Sequence, residues 1–153
     1  KLGLVPYGDI VPMTAECPTL TFNTIGRHQS RLVRTRVASN LSPWLAKTEV
    51  GDMHTIAISH GEGRFVASDD MLAQLKANGQ IATQYVDEAG VPGMDLSVNP
   101  NGSLLAIEGI TSPDGRVFGK MGHSERYSNG TFKNVPGEKD QPLFAAGVEY
   151  FTA

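Results

Sequence analysis

The chain has 153 residues, of which 40% are hydrophobic and 19% charged, and its formal net charge is −3. These values are typical of one globular domain with a buried core. The acidic balance argues against a nucleic-acid partner, and no apolar run approaches the roughly 20 residues of a membrane span. A single cysteine, Cys17, excludes an internal disulfide framework and is consistent with a reducing compartment, so we expect a cytoplasmic protein.

The first residues of the chain are neither a natural initiation sequence nor a signal peptide. We interpret residues 1–4 as the last turn of a helix that ends near Gly3, before Pro6, and that begins outside the sequence. A cloning boundary and a fragment of a longer protein are the two explanations.

Seven runs of β-branched and apolar residues predict strands, and two amphipathic runs predict helices. The predicted strands cover residues 19–23, 30–38, 53–59, 65–67, 81–86, 106–111 and 116–121. Ser42 followed by Pro43 predicts a short helical turn, and residues 112–115 (Ser-Pro-Asp-Gly) predict a hairpin between the last two strands.

The first predicted helix covers residues 69–78, with Gly79 as its stop signal. The second covers residues 142–151, with Asp140 or Gln141 as its cap and with one apolar stripe formed by Leu143, Phe144, Val148 and Phe151. Strands interleaved with helices predict an α/β domain, although the helices are too few to cover both faces of such a sheet.

His123 and Glu125 are the most informative pair of polar residues. If residues 122–126 are extended, the two side chains project to the same side, where the carboxylate can orient the imidazole. This is the base-and-orienter part of a nucleophilic triad, and the nucleophile must come from elsewhere.

Cys17 is a poor candidate for that nucleophile. A nucleophile elbow needs small neighbours and a backbone N–H on the following residue, but Glu16 precedes Cys17 and Pro18, which lacks the N–H, follows it. We therefore interpret Cys17 as a structural residue.

The loop formed by Ser59, His60, Gly61 and Glu62 follows a predicted strand, which is where open α/β sheets place ligand contacts. A plain glycine turn is the alternative interpretation. Residues 115–120 (GRVFGK) miss the P-loop spacing by one residue, and the histidines lack metal-ligand spacing, so we expect no metal site. The basic stretch over residues 27–36 is interpreted as a solvated or partner-facing surface.

Three motifs together resemble the glutamine amidotransferase domain of phosphoribosylformylglycinamidine synthase, in the large form that carries glutaminase and synthetase on one polypeptide. They are SHGEGRF (residues 59–65), NPNGS (residues 99–103) and GHSER (residues 122–126). The resemblance covers essentially the whole chain. It implies a class I domain with a Cys-His-Glu triad on a three-layer αβα, flavodoxin-like sandwich.

Carried over residue by residue, the resemblance makes His123 and Glu125 the histidine and glutamate of the triad. Ser124 between them stands where a proline is common in relatives. The binding segment for the α-amino and α-carboxylate groups of L-glutamine corresponds to Ser59, His60, Gly61 and Glu62.

The resemblance also implies that the chain is incomplete. No cysteine elbow of the Gly-x-Cys-x-Gly type is present, so residues 1–153 correspond to the C-terminal portion of the domain and the N-terminal half lies elsewhere. The implied partners are that half and the synthetase region, which uses ATP and magnesium; we expect no cofactor in this chain itself. A binding or scaffold module without catalysis, and a hydrolase that uses Cys17, are the alternatives.

Overall fold

Five antiparallel strands form the central sheet of the computed structural model, which describes residues 2–153. Its strands are β2 (Gln29–Val37), β3 (Met53–His60), β5 (Ile81–Tyr85), β6 (Ile107–Thr111) and β7 (Phe118–Lys120). Their order across the sheet is β3-β2-β5-β6-β7. Two further strands, β1 (Thr19–Thr21) and β4 (Arg64–Val66), pair antiparallel in a small separate sheet.

The helices are short and flank the sheet. The α-helices are α1 (Leu4–Tyr7), α2 (Asp69–Ala77) and α3 (Leu143–Thr152), and the 3-10 turns are Pro43–Leu45, Leu104–Ala106 and Ser124–Arg126. The mixed α/β architecture predicted from the sequence is therefore observed. Within residues 2–153, no helix combines the length and the apolar character that crossing a membrane requires.

The pairing of β2 with β3 places the end of β3 at the start of β2. The register runs from Gln29 opposite His60 to Arg36 opposite Met53. Because side chains alternate between the two faces of a strand, this register determines on which face of the sheet each of the last residues of β3 lies.

Buried apolar side chains form clusters on the sheet. Leu72 and Leu75 of α2 pack with Phe65, Ile107 and Ile110. A second cluster joins the sheet to α3 and to the first 3-10 turn, and it consists of Val37, Leu45, Ala82 and Leu143. The sheet is thus covered where α2 and α3 contact it, and burial of these side chains supplies the main stabilisation.

Most predicted elements are confirmed, with boundaries that differ by at most two residues. Ser68 caps α2 by accepting a hydrogen bond from the Met71 N–H at 3.3 Å, and Ser42 caps the turn at Pro43–Leu45. The predicted hairpin is formed by β6 and β7, with Ile110 opposite Gly119.

The prediction for the start of the chain is wrong where residues are described; Lys1 lies outside them. Leu2 is not helical, and Gly3 precedes α1 with a φ of 96°. Pro6 lies inside this four-residue helix, where its missing N–H costs no hydrogen bond because the first turn has no acceptor for it.

The predicted apolar stripe of α3 is also wrong. Leu143 is buried, but Phe144, Val148 and Phe151 are exposed. The buried face instead includes Ala146 and Gly147, because the helix lies close to Trp44 and only small residues fit there. The cap is Pro142, without a side-chain hydrogen bond, and is neither Asp140 nor Gln141.

Candidate active site

A cleft of about 610 Å³ lies where the end of β3, the turn after β7 and the start of α3 meet. Its walls include Trp44, Ser59, His60, Lys120, His123 and Phe144. The cleft therefore brings together residues from the first and third motifs, which are more than 60 positions apart in the sequence.

His123 and Glu125 are in direct contact at this cleft. The Nδ1 atom of His123 lies 2.7 Å from Oε1 of Glu125. The predicted reason for the contact is wrong, since Ser124–Arg126 form a 3-10 turn and not an extended segment. The His123 N–H donates to the Ala57 carbonyl at 2.9 Å, which ties the turn to β3.

The electrostatics of this pair suit an orienting role for the carboxylate. Partial burial raises the pKa of Glu125, but the hydrogen bond with His123, the Glu125 backbone N–H and the nearby charges of His123 and Arg126 outweigh it. The pKa of Glu125 is therefore lowered and its side chain is ionised at neutral pH. With Nδ1 directed at this carboxylate, Nε2 of His123 is shielded and has no hydrogen-bond partner among residues 2–153.

His60 stacks on His123. The two ring centroids are 5.2 Å apart and the ring planes differ by 16°. Burial, followed by the repulsion from His123, lowers the pKa of His60 to about 4. His60 is therefore neutral at neutral pH and presents an uncharged face to its neighbour.

The structure divides the four residues predicted to bind a ligand. Ser59 and His60 end β3 and line the cleft, whereas Gly61 and Glu62 follow the strand and do not line it. The hydroxyl of Ser59 lies 3.0 Å from Nε2 of His28. Glu62 is exposed and forms no ion pair within residues 2–153.

A buried asparagine holds the loop after β3 in place. Asn23 is 2% exposed; its side-chain amide donates to the carbonyl of His60 at 2.7 Å, and its backbone N–H donates to that of Gly61 at 3.0 Å. Its side-chain oxygen accepts from the Gly63 N–H at 3.0 Å and from Asn101 at 2.7 Å. These contacts engage main-chain groups of the loop. The Glu62 carboxylate, the anionic group of the loop, takes part in none of them.

The second motif has a supporting role and does not itself line the cleft. Asn101 accepts a hydrogen bond from the Tyr85 hydroxyl at 3.1 Å. Ser103 donates to the Gly63 carbonyl and accepts from the Phe65 N–H, both at 3.1 Å. The sequence alone assigns no role to this motif and does not point to Asn23, because the hydrogen-bond partners are 16 to 78 positions apart.

Cys17 does not line the cleft. It is 8% exposed, and its sulfur makes local contacts with Thr14 and with the Pro12 carbonyl. Its surroundings are those of a structural cysteine. Among residues 2–153, no three His, Cys, Asp or Glu side chains are grouped to hold a metal ion.

Comparison with known proteins identifies similar chains. Residues 1–151 match the family profile of the CobB/CobQ-like glutamine amidotransferase domain. Among curated proteins, the phosphoribosylformylglycinamidine synthase subunit PurQ of Aquifex aeolicus is 37% identical over 128 residues, or 84% of this chain. The subunit of the same name from Methanosarcina mazei is 34% identical over 133 residues, or 87% of this chain.

A solved structure is similar in fold. It is described as the structure of PurLQS from Thermotoga maritima, and it matches with a TM-score of 0.64 at 28% identity over 88% of this chain. The chain spans about half the length of these proteins: 51% and 55% of the two curated subunits and 53% of the solved chain.

Proposed function

This chain belongs to the CobB/CobQ-like glutamine amidotransferase domain family, and from this we propose that it forms the His-Glu portion of a glutaminase site. The relatives confirm the resemblance to the glutamine amidotransferase domain of phosphoribosylformylglycinamidine synthase, and the structural match confirms a class I amidotransferase-like α/β fold. The proposed activity is hydrolysis of L-glutamine to supply ammonia for purine biosynthesis in the cytoplasm.

The contact between His123 and Glu125 carries the proposal. In the proposed mechanism, a cysteine from a protein segment outside these 153 residues attacks the glutamine carboxamide, and His123 accepts its proton. A carbon–sulfur bond forms, the carbon–nitrogen bond breaks, and His123 returns the proton to the departing ammonia. Water then hydrolyses the thioester to glutamate and regenerates the thiol. Glu125 orients His123 throughout.

The cleft gives the substrate a path to His123. Ser59 and His60 border the same cleft, and the loop that continues through Gly61 and Glu62 supplies contacts for the amino-acid end of glutamine. Glu62 is suited to the α-ammonium group, since it is exposed and unpaired within residues 2–153.

The ammonia is consumed in a second reaction. In the proposed complete enzyme, of the large single-polypeptide type, a synthetase region uses ATP and magnesium to convert formylglycinamide ribonucleotide to formylglycinamidine ribonucleotide. The N-terminal half of the amidotransferase domain and this region are the proposed partners of residues 1–153.

The substitution His123→Ala in the complete enzyme tests the proposal. We expect the rate of glutamine-dependent synthesis to fall by at least about a thousandfold, because His123 serves as both the base and the acid in ammonia release. Synthesis from added ammonium salts is expected to stay near the wild-type rate, because His123 acts only in ammonia release. Equal loss of both activities, with folding intact, would contradict the assignment.

The purified 153-residue chain distinguishes the alternatives. We expect it to release no glutamate from glutamine, because Cys17 lies away from the cleft. Glutamate release that disappears in Cys17→Ala would instead support a hydrolase that uses Cys17. A complete enzyme without any glutamine-dependent activity would support a binding or scaffold module.

A further inference from the structure

Lys120 contacts the residues on both sides of His123. Its ammonium group donates to the carbonyl of Gly122 at 2.9 Å and to the hydroxyl of Ser124 at 3.0 Å. The Lys120 side chain is 11% exposed, which is unusual for lysine. Such a buried cation needs a compensating partner.

Glu108 on β6 is that partner. One of its oxygens lies 3.6 Å from the Lys120 ammonium group and also accepts a hydrogen bond from the Gly122 N–H. The other accepts from the Thr83 hydroxyl at 2.5 Å, and the carboxylate is fully buried. The ion pair therefore holds Gly122 at both its N–H and its carbonyl.

The small size of Gly122 allows this arrangement. A Cβ atom there would lie 2.7 Å from Ile56 and 2.8 Å from Glu108, so a side chain would displace the carboxylate. Glycine, however, leaves the backbone free to adopt many conformations. The contacts from Lys120 and Glu108 remove that freedom.

Ser124 anchors the other side of His123. The Ser124 hydroxyl accepts a hydrogen bond from Lys120 and donates one to the side-chain oxygen of Gln141 at 2.6 Å. Gln141 is 5% exposed and lies just before α3. His123 is thus flanked by two residues whose positions depend on one ammonium group.

We propose that Lys120 is a positioning residue that holds the turn carrying His123 in the orientation needed at the cleft. The inference rests on the proposed role of His123. A buried ion pair contributes little net stability compared with apolar side chains of similar volume, because both charges lose their hydration. Its contribution here is to orientation.

The test is Lys120→Met combined with Glu108→Gln in the complete enzyme, so that no unpaired charge stays buried. We expect kcat for glutamine-dependent synthesis to fall at least tenfold, with KM for glutamine within about twofold of wild type. Ammonium-dependent synthesis is expected to be unchanged. Lys133→Met, which changes an exposed lysine, serves as the matched control and is expected to retain wild-type values.

A second readout does not depend on catalysis. In the ¹⁵N-histidine-labelled complete enzyme, His123→Gln identifies the Nδ1 resonance of His123, which reports its hydrogen bond with Glu125. We expect this resonance to shift in the double variant and, by a smaller amount, in Ser124→Ala. Ser124→Ala is also the second variant if the double variant fails to fold.

The outcomes separate the two proposals. If wild-type enzyme lacks glutamine-dependent activity, the proposed function fails, and the Nδ1 resonance still tests the positioning role. An unchanged resonance and an unchanged kcat in folded variants would overturn the positioning role alone.

Discussion

Gly61 and Gly63 lie two residues apart in the same loop but have opposite surroundings. A Cβ atom at Gly61 would meet nothing within 4 Å, whereas one at Gly63 would lie 2.4 Å from the Asn101 side-chain nitrogen. Gly63 is therefore required for packing. The space beside Gly61 is open, so a substitution there tests ligand approach without disturbing the protein interior.

We expect Gly61→Val to raise KM for glutamine at least about tenfold in the complete enzyme, because a branched side chain would block approach to the loop backbone. Its melting temperature is expected to stay close to that of wild type. Gly63→Ala is the contrasting variant, since it should lower the melting temperature by displacing Asn101. A wild-type KM in folded Gly61→Val would show that the loop is an ordinary turn.

At the level of elements, α3 is held at the cleft by a close contact with the turn at Pro43–Leu45. A Cβ atom at Gly147 would lie 2.3 Å from the Trp44 ring. Trp44 cannot easily move aside, because its indole N–H donates to the Arg116 carbonyl at 2.8 Å. Leu143 and Phe144 at the start of the helix line the cleft, so the position of α3 affects the site.

We therefore expect Gly147→Ala to destabilise the chain. Alanine favours a helix by about 1 kcal/mol over glycine, but overpacking against a fixed ring costs about 1–3 kcal/mol. The net loss, measured by urea unfolding, should be up to about 2 kcal/mol. Val148→Ala, at a position that is 64% exposed, is expected to change stability by less than about 0.5 kcal/mol. Stabilisation by Gly147→Ala would contradict the contact.

At the scale of the whole molecule, stability depends on histidines that fold in their neutral form. Burial is the main cause that lowers the pKa of both His54 and His60, and that of His60 falls from 6.5 to about 4. Between these two pH values the unfolded chain binds a proton at residue 60 that the folded chain does not. The free energy of unfolding therefore falls as the pH falls from about 6.5 to 4.

We expect His60→Phe to lose part of this pH dependence while it keeps an aromatic ring against His123. The difference between a pKa of 6.5 in the unfolded chain and about 4 in the folded chain corresponds to an upper limit of about 3.4 kcal/mol in the free energy of unfolding, and partial exposure of His60 reduces it to about 1–3 kcal/mol. Urea unfolding at pH 7 and pH 4.5 measures the difference. Ile58→Val should lower stability by about 1 kcal/mol equally at both pH values. Equal pH dependence in wild type and His60→Phe would refute the prediction.

Local patterns in the sequence were sufficient to predict most elements. Gly79 after α2, Pro43 after Ser42 and the Ser-Pro-Asp-Gly turn are short-range signals, since a helix end or a turn depends on neighbours within a few residues. The same argument failed for α3. Its apolar residues repeat with helical spacing, but which face is buried was decided by Trp44, about 100 positions earlier in the sequence.

The candidate site also depends partly on local sequence signals and partly on contacts between distant residues. The sequence by itself determined that an imidazole and a carboxylate two positions apart are able to pair, and its motifs indicated the family. Only the tertiary structure decided that His60 stacks on His123, that Asn23 and Asn101 hold the loop, and that Lys120 and Glu108 secure Gly122. These contacts join segments that are distant in the sequence. They are determined by strand register and packing, and the periodicity of the sequence does not show which distant residues these bring together.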